Sequence, residues 1–175
     1  MALGCFGSVA VAVGGVLGAL VSTGVLAKDI PFTSSGLPVP RYGSLKSDHV
    51  NVRAGPTKDN DVAWVYTRSG LPVEITAEFE NWRRVRDSEG AEGWVYHSLL
   101  SGRRTAVVTM KSKDDLAPLY DGADSADAVT ARLQAGVVVQ VRKCTSSWCH
   151  VAGSGFDGWI EQQRLWGVYS DEKVE

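Results

Sequence analysis

Trp82 to Gly102 reads WRRVRDSEGAEGWVYHSLLSG, and Trp148 to Gly167 reads WCHVAGSGFDGWIEQQRLWG. Each stretch has a Trp, a Val three residues on, a Gly-Trp pair (Gly93-Trp94, Gly158-Trp159) and a Leu-x-Gly close. The copies lie about 66 residues apart, so the chain carries a duplicated unit of that length. A unit this small buries a modest core and leans on a neighbour or a covalent staple.

Outward from the repeat, the chain divides into five segments. Ala2 to Ala27 has no charged residue and meets Lys28-Asp29 abruptly, with small residues at Val25 and Ala27. This predicts a cleaved signal peptide over 1–27 and a periplasmic or secreted protein. No Lys or Arg precedes the apolar run, and it is long enough to span a bilayer. An uncleaved anchor, the chain's only expected membrane contact, is the alternative. Residues 28–40, KDIPFTSSGLPVP, hold three prolines and read as an extended linker. Residues 41–104 and 105–169 are the two units, and 170–175 is a charged tail expected to fray.

Within each unit the pattern is that of strands. Val50 and Val52 alternate with Asn51 and Arg53, and Gly55-Pro56 stops the run. Val62 to Tyr66 follows. In Leu71 to Glu80, Val73, Ile75, Ala77 and Phe79 alternate with Glu74, Thr76, Glu78 and Glu80. Trp82 to Arg86 and Glu92 to Val95 complete the set, and Tyr96 to Leu100 reads as one helical turn. The second unit repeats the series from Ala106 to Tyr169, whose last stretch is expected to close the barrel. The predicted fold is all-β: two tandem small barrels.

Asn51-Val52-Arg53-Ala54-Gly55-Pro56 followed by Gly93-Trp94-Val95 resembles a bacterial SH3 (SH3b) domain. Asn81 to Arg86 and Leu99 to Arg104 bring it nearer to a family of alphaproteobacterial exported SH3-like proteins with two such repeats. The second unit departs from the pattern, since Leu116-Ala117-Pro118-Leu119-Tyr120 lacks the Asn, the Arg and the Gly-Pro. The resemblance implies SH3-like barrels outside the cytoplasm, commonly cell-wall or peptide binding, and no catalysis by the barrels.

Chemistry narrows the partners. The net charge of −2 and pI near 5.9 argue against a nucleic-acid partner. Arginines 83, 84, 86, 103 and 104 interleave with carboxylates and read as a mixed solvated surface. Cys144 and Cys149 remain once Cys5 leaves with the signal, and they flank a hairpin turn, so a disulfide is expected. By the repeat they align with Glu78 and Arg83, an expected exposed ion pair. A C-x4-C-H haem attachment is the sharper reading, but no haem pocket or four-ligand metal set is visible, so no cofactor or metal is expected. The repeated tryptophans, 82 with 148 and 94 with 159, read as core. Trp64 sits opposite Thr130 in the repeat and reads as core or as a ligand platform. The predicted ligand site is Asn51, Arg53, Trp64 and Tyr66. Its expected partner is peptidoglycan or its peptide stems. The alternative is an envelope protein held by Arg83, Arg84 and Arg86 or by a strand edge. His49, His97 and His150 do not repeat, the two units leave no room for a Cys-His catalytic domain, and no phosphate loop or HExxH appears, so a non-enzymatic module is expected.

Overall fold

The structure, a computed structural model, describes Met1, residues 34–112 and residues 115–175. The predicted signal segment beyond Met1 and residues 28–33 of the linker lie outside the described residues. In the first unit the strands are β1 (Arg41–Leu45), β2 (Val50–Arg53), β3 (Val62–Tyr66), β4 (Pro72–Phe79), β5 (Trp82–Arg86), β6 (Glu92–Tyr96) and β7 (Leu100–Ser101). The second has β8 (Thr105–Val108), β9 (Leu116–Tyr120), β10 (Val129–Gln134), β11 (Val138–Cys144), β12 (Trp148–Gly153), β13 (Phe156–Glu161) and β14 (Leu165–Trp166). The 3-10 turns His97–Leu99 and Gln162–Arg164 precede β7 and β14. Among the described residues no helix is long and apolar enough to cross a membrane.

The strands form two seven-stranded sheets of the same topology. Their orders are β3-β2-β6-β5-β4-β1-β7 and β10-β9-β13-β12-β11-β8-β14. The all-β, two-unit expectation holds. The closed barrel does not: β14 pairs with β8, and among the described residues no ladder joins β14 to β10 or β7 to β3. The last strand of each unit has only two residues and pairs on one edge.

Each sheet wraps its own core. Leu45, Val50, Val52, Val73, Ile75, Val85 and Val95 fill the first. Ala117, Leu119, Leu133, Val139, Val141, Val151 and Ile160 anchor the second. Of the four repeated tryptophans Trp82 is buried, as expected, while Trp94, Trp148 and Trp159 stay partly exposed, contrary to the expectation. The Gly of each Gly-Trp pair faces inward and its Trp outward. Gly93 lies opposite Val85 and Trp94 opposite Arg84, while Gly158 lies opposite Val151 and Trp159 opposite His150. A Cβ on Gly93 would stand 2.4 Å from Val52 Cγ1, and one on Gly158 2.7 Å from the Tyr120 carbonyl. Strands cross so closely there that only glycine fits inside.

A second departure comes from bulges. The β4–β5 register shifts between Ile75 and Ala77, and β11–β12 shifts between Val141 and Lys143. One extra residue reverses the alternation beyond it. Phe79, expected inside, is 49% exposed. The Glu78 side chain, expected outside, is fully enclosed. Cys144 likewise turns inward and joins the second core with Cys149.

Neither end of the described chain is loose. Glu78 accepts Ser35 N–H at 2.8 Å and the hydroxyls of Ser34 and Ser35, so the end of the linker is fastened to β4. The tail does not fray. Val174 bridges Cys144, and Glu172 accepts two bonds from Arg104 at 2.7 and 3.0 Å.

Candidate functional site

The expected ligand residues sit on two strands, β2 and β3, but not on one surface. Val52 pairs with Trp64 and Val50 with Tyr66, so both aromatics share the inner face with buried valines. Asn51 pairs with Val65, and Arg53 with Val62 and Trp94, on the outer face. Strand alternation makes this unavoidable, because residues one apart point to opposite sides. Arg53 is also committed, donating to the Asn60 carbonyl at 2.5 Å. Asn51 is exposed.

Trp64 packs edge-on to Tyr66, with ring centroids 6.1 Å apart, and both lean on the first core. Its Cη2 lies where a Cβ on Gly93 would be, 3.1 Å off. In the second unit Ala131 pairs with Leu119 and Leu133 with Ala117. Ala131, not Thr130, therefore takes the place of Trp64, and Leu133 that of Tyr66. A larger Leu119 fills the space that the small Ala131 leaves. The aromatic pair belongs to the first unit.

Tyr66 does reach a cleft. Its hydroxyl donates to Asp87 Oδ2 at 2.9 Å. The other oxygen of Asp87 accepts the N–H groups of Glu89 and Ala91 at 3.0 and 2.9 Å, an Asx turn that fixes the carboxylate. Burial, then the bond to Asp87, pushes the Tyr66 phenol well above the usual tyrosine range, so it stays a donor. The cleft, of about 230 Å³, is lined by Tyr66, Leu71, Pro72, Asp87, Ser88 and Glu89, with Val107 from the second unit. An aromatic edge with two carboxylates suits N–H donors and cations. Sequence reading offers Asp87 no role at a site. Its pairing with Tyr66 depends on strand order, which periodicity does not encode.

The three arginines of β5 are committed rather than free. Arg83 pairs with Glu78 at 3.1 Å and Arg84 with Glu92 at 2.6 Å, while Arg86 pairs with buried Glu74. Glu74 Oε1 also accepts the Tyr169 hydroxyl at 3.0 Å, which ties the units together. Tyr42 stands 4.6 Å from the Tyr169 ring and 5.2 Å from that of Trp166, and Arg104 lies over Tyr42.

Cys144 and Cys149 form the expected disulfide, Cα atoms 4.1 Å apart. The bond takes up both thiols that a covalent haem attachment would use. His150 instead meets Asp157 at 2.7 Å.

The family model for the bacterial SH3 domain matches twice, over residues 46–102 and 113–167. A search of curated proteins returned no match. Among solved structures, NlpC2 from Trichomonas vaginalis is similar at 16% identity and a TM-score of 0.33, covering 73% of this chain and 48% of that one. NlpC1 from the same organism gives 16% and 0.33, covering 81% and 50%. A NlpC/P60 family protein from Bacillus cereus gives 10% and 0.30, covering 77% and 58%. The chain thus spans roughly half the length of those structures. Likeness this low carries no activity across.

Proposed function

We propose, on the premise that this chain belongs to the bacterial SH3 domain family, that it is a non-enzymatic exported module binding peptidoglycan through its peptide stems. The observation that carries the reading is the Tyr66–Asp87 cleft. It offers an aromatic wall and a fixed carboxylate beside Glu89 on a unit of a family whose members commonly bind wall or peptide. A stem peptide supplies the complementary N–H and ammonium donors. The charge-free segment before Lys28 supports export to the compartment where such stems lie. Co-sedimentation of the full chain with isolated sacculi across a salt series tests this. Salt-resistant pelleting that weakens in Tyr66→Phe and Glu89→Gln, but not in Arg53→Ala on the opposite face, is the expected result. Absence of pelleting, or pelleting lost at modest salt, sinks it.

One observation favours a second reading, an adaptor for an envelope protein. Strand β3 is a sheet edge and exposes Val62 and Val65 at 42% and 36%. Such an edge accepts a further strand. Co-purification of one partner, lost in Val65→Lys, together with indifference to sacculi, would favour it.

A further inference from the structure

The two units differ in the residue that faces a matched tryptophan. In the first, Trp82 lies opposite Tyr96 across β5–β6, their rings edge-to-face at 5.4 Å, and Trp82 is only 8% exposed. In the second, Trp148 lies opposite Glu161 across β12–β13. The aromatic cover is gone. Tyr120 of β9 reaches Trp148 across β13, ring centroids 5.4 Å apart, and the indole stays half-buried beside a cleft of about 560 Å³.

The far wall of that cleft is the tail. The buried Gln162 amide donates to the Glu172 carbonyl and accepts the Asp171 N–H, each at 2.9 Å. Asp171 is held at a φ of 61°, the left-handed region that non-glycine residues adopt only when their surroundings impose it. The wall is therefore built in place rather than draped.

From this geometry we infer that the cleft beside Trp148 is a saccharide site, taking an uncharged amino-sugar chain. Trp148 offers an apolar face for a pyranose ring. Ser146, Ser147 and Gln163 offer hydroxyls and an amide, and Glu161 and Asp171 offer acceptors for sugar hydroxyls. Glu161 receives Arg164 and Gln163 on Oε2, leaving Oε1 to neither of them. No Lys or Arg lines the cleft, which disfavours anions. Its volume lies within the range of small-ligand clefts. The choice of an N-acetylated amino sugar rests on the wall-binding reading; the site itself does not. A glycan site on one unit and a peptide cleft on the other would let a single chain grip both parts of the wall.

Calorimetric titration of the full, oxidised chain with the β-1,4-linked N-acetylglucosamine tetramer tests the inference, alongside a lysine-bearing tetrapeptide. The expected result is saturable, salt-insensitive tetramer binding with a change in tryptophan fluorescence. Affinity should fall at least about tenfold in Trp148→Ala and in the surface variant Asp171→Asn, and hold within about threefold in Trp148→Phe. Three results would overturn it: no saturable tetramer binding, tetramer binding that Trp148→Ala and Asp171→Asn leave unchanged, or salt-sensitive preference for the tetrapeptide at this cleft. Sacculi that pellet the chain while the tetramer fails to bind would remove this site and leave the peptide reading standing.

Discussion

Glu78 and Arg83 face each other across β4 and β5 where Cys144 and Cys149 face each other across β11 and β12. The two units close the same end of the core by different chemistry. The first uses an enclosed carboxylate shared by Arg83 at 3.1 Å and Arg41 at 2.5 Å. The second uses a covalent bond. The ion pair is not the exposed one expected from the sequence, because the bulge turns Glu78 inward and the linker serines cover it. Removing one member of a buried pair leaves an uncompensated charge. Glu78→Ala should destabilise the protein by about 3–5 kcal/mol in urea denaturation, far more than a surface pair would. The double replacement Glu78→Cys with Arg83→Cys should oxidise, read as an intact-mass loss of two hydrogens. A double variant that stays reduced would contradict the equivalence of the two pairs.

The native disulfide closes a short loop, so the chain-entropy account assigns it about 2 kcal/mol. Cys144→Ala with Cys149→Ala should lower stability by that amount plus the loss of two buried sulfurs from the second core. Reduction alone should cost less than the double replacement, because the thiols remain packed. Denaturation midpoints of the three forms at one protein concentration check the order.

The inward glycines make the sharpest steric prediction. Gly158→Ala places a methyl 2.7 Å from a backbone oxygen and 2.9 Å from Leu119 Cγ. Gly93→Ala meets Val52 Cγ1 first, a side-chain atom that can move. Both should destabilise by about 1–3 kcal/mol, with Gly158→Ala the worse. Thermal melts of the two variants decide it. Equal midpoints with the parent would mean that β6 and β13 do not cross their neighbours as closely as described.

Strand positions were legible because period-two alternation and turn residues are local. The strands from Val62–Tyr66 to Trp148–Gly153 are found within a residue or two of their expected places, apart from β8, which ends at Val108, and the two-residue β7, which lies where only the end of a helical turn was expected. The disulfide was legible from two remaining cysteines that flank a hairpin turn. What was hidden depends on strands meeting other strands. A bulge after Ile75 leaves no mark in hydropathy, so Phe79 and Glu78 exchange faces unannounced. The Gly-Trp pairs read as core because Trp is large and apolar, yet the close crossing reserves the inner place for Gly. The four expected site residues looked contiguous along β2 and β3, and the sheet divides them. The loop of the second unit lacked the Gly-Pro signature, yet Asp127 seats against Gly122 as Asn60 does against Gly55.

The joint between units should open at both ends of the pH scale, through different groups. Tyr169 donates to Glu74, and its phenol is pushed above the usual tyrosine range by burial first and that bond second. Burial raises the Tyr42 phenol too. A phenol that holds its proton longer in the fold contributes stability that is complete below about pH 10, where the unfolded tyrosine ionises, and lost as pH rises beyond it. At the acid end, burial raises the Glu172 carboxyl, but its bonds from Arg104 and the Tyr169 N–H hold it below the ordinary value of about 4.3. Its contribution is therefore present above that value and lost as pH falls through the folded one. Hydrogen exchange at the Tyr169 N–H, which Glu172 accepts at 2.8 Å, should stay slow between these limits and quicken outside them. Glu172→Gln should flatten the acid limb alone. Tyr169→Phe should cost about 1.5–3 kcal/mol near neutral pH, since it leaves a Glu74 oxygen without its donor. Unchanged exchange in Tyr169→Phe would show that the aromatic contact of Tyr42 with Trp166 holds the units without it.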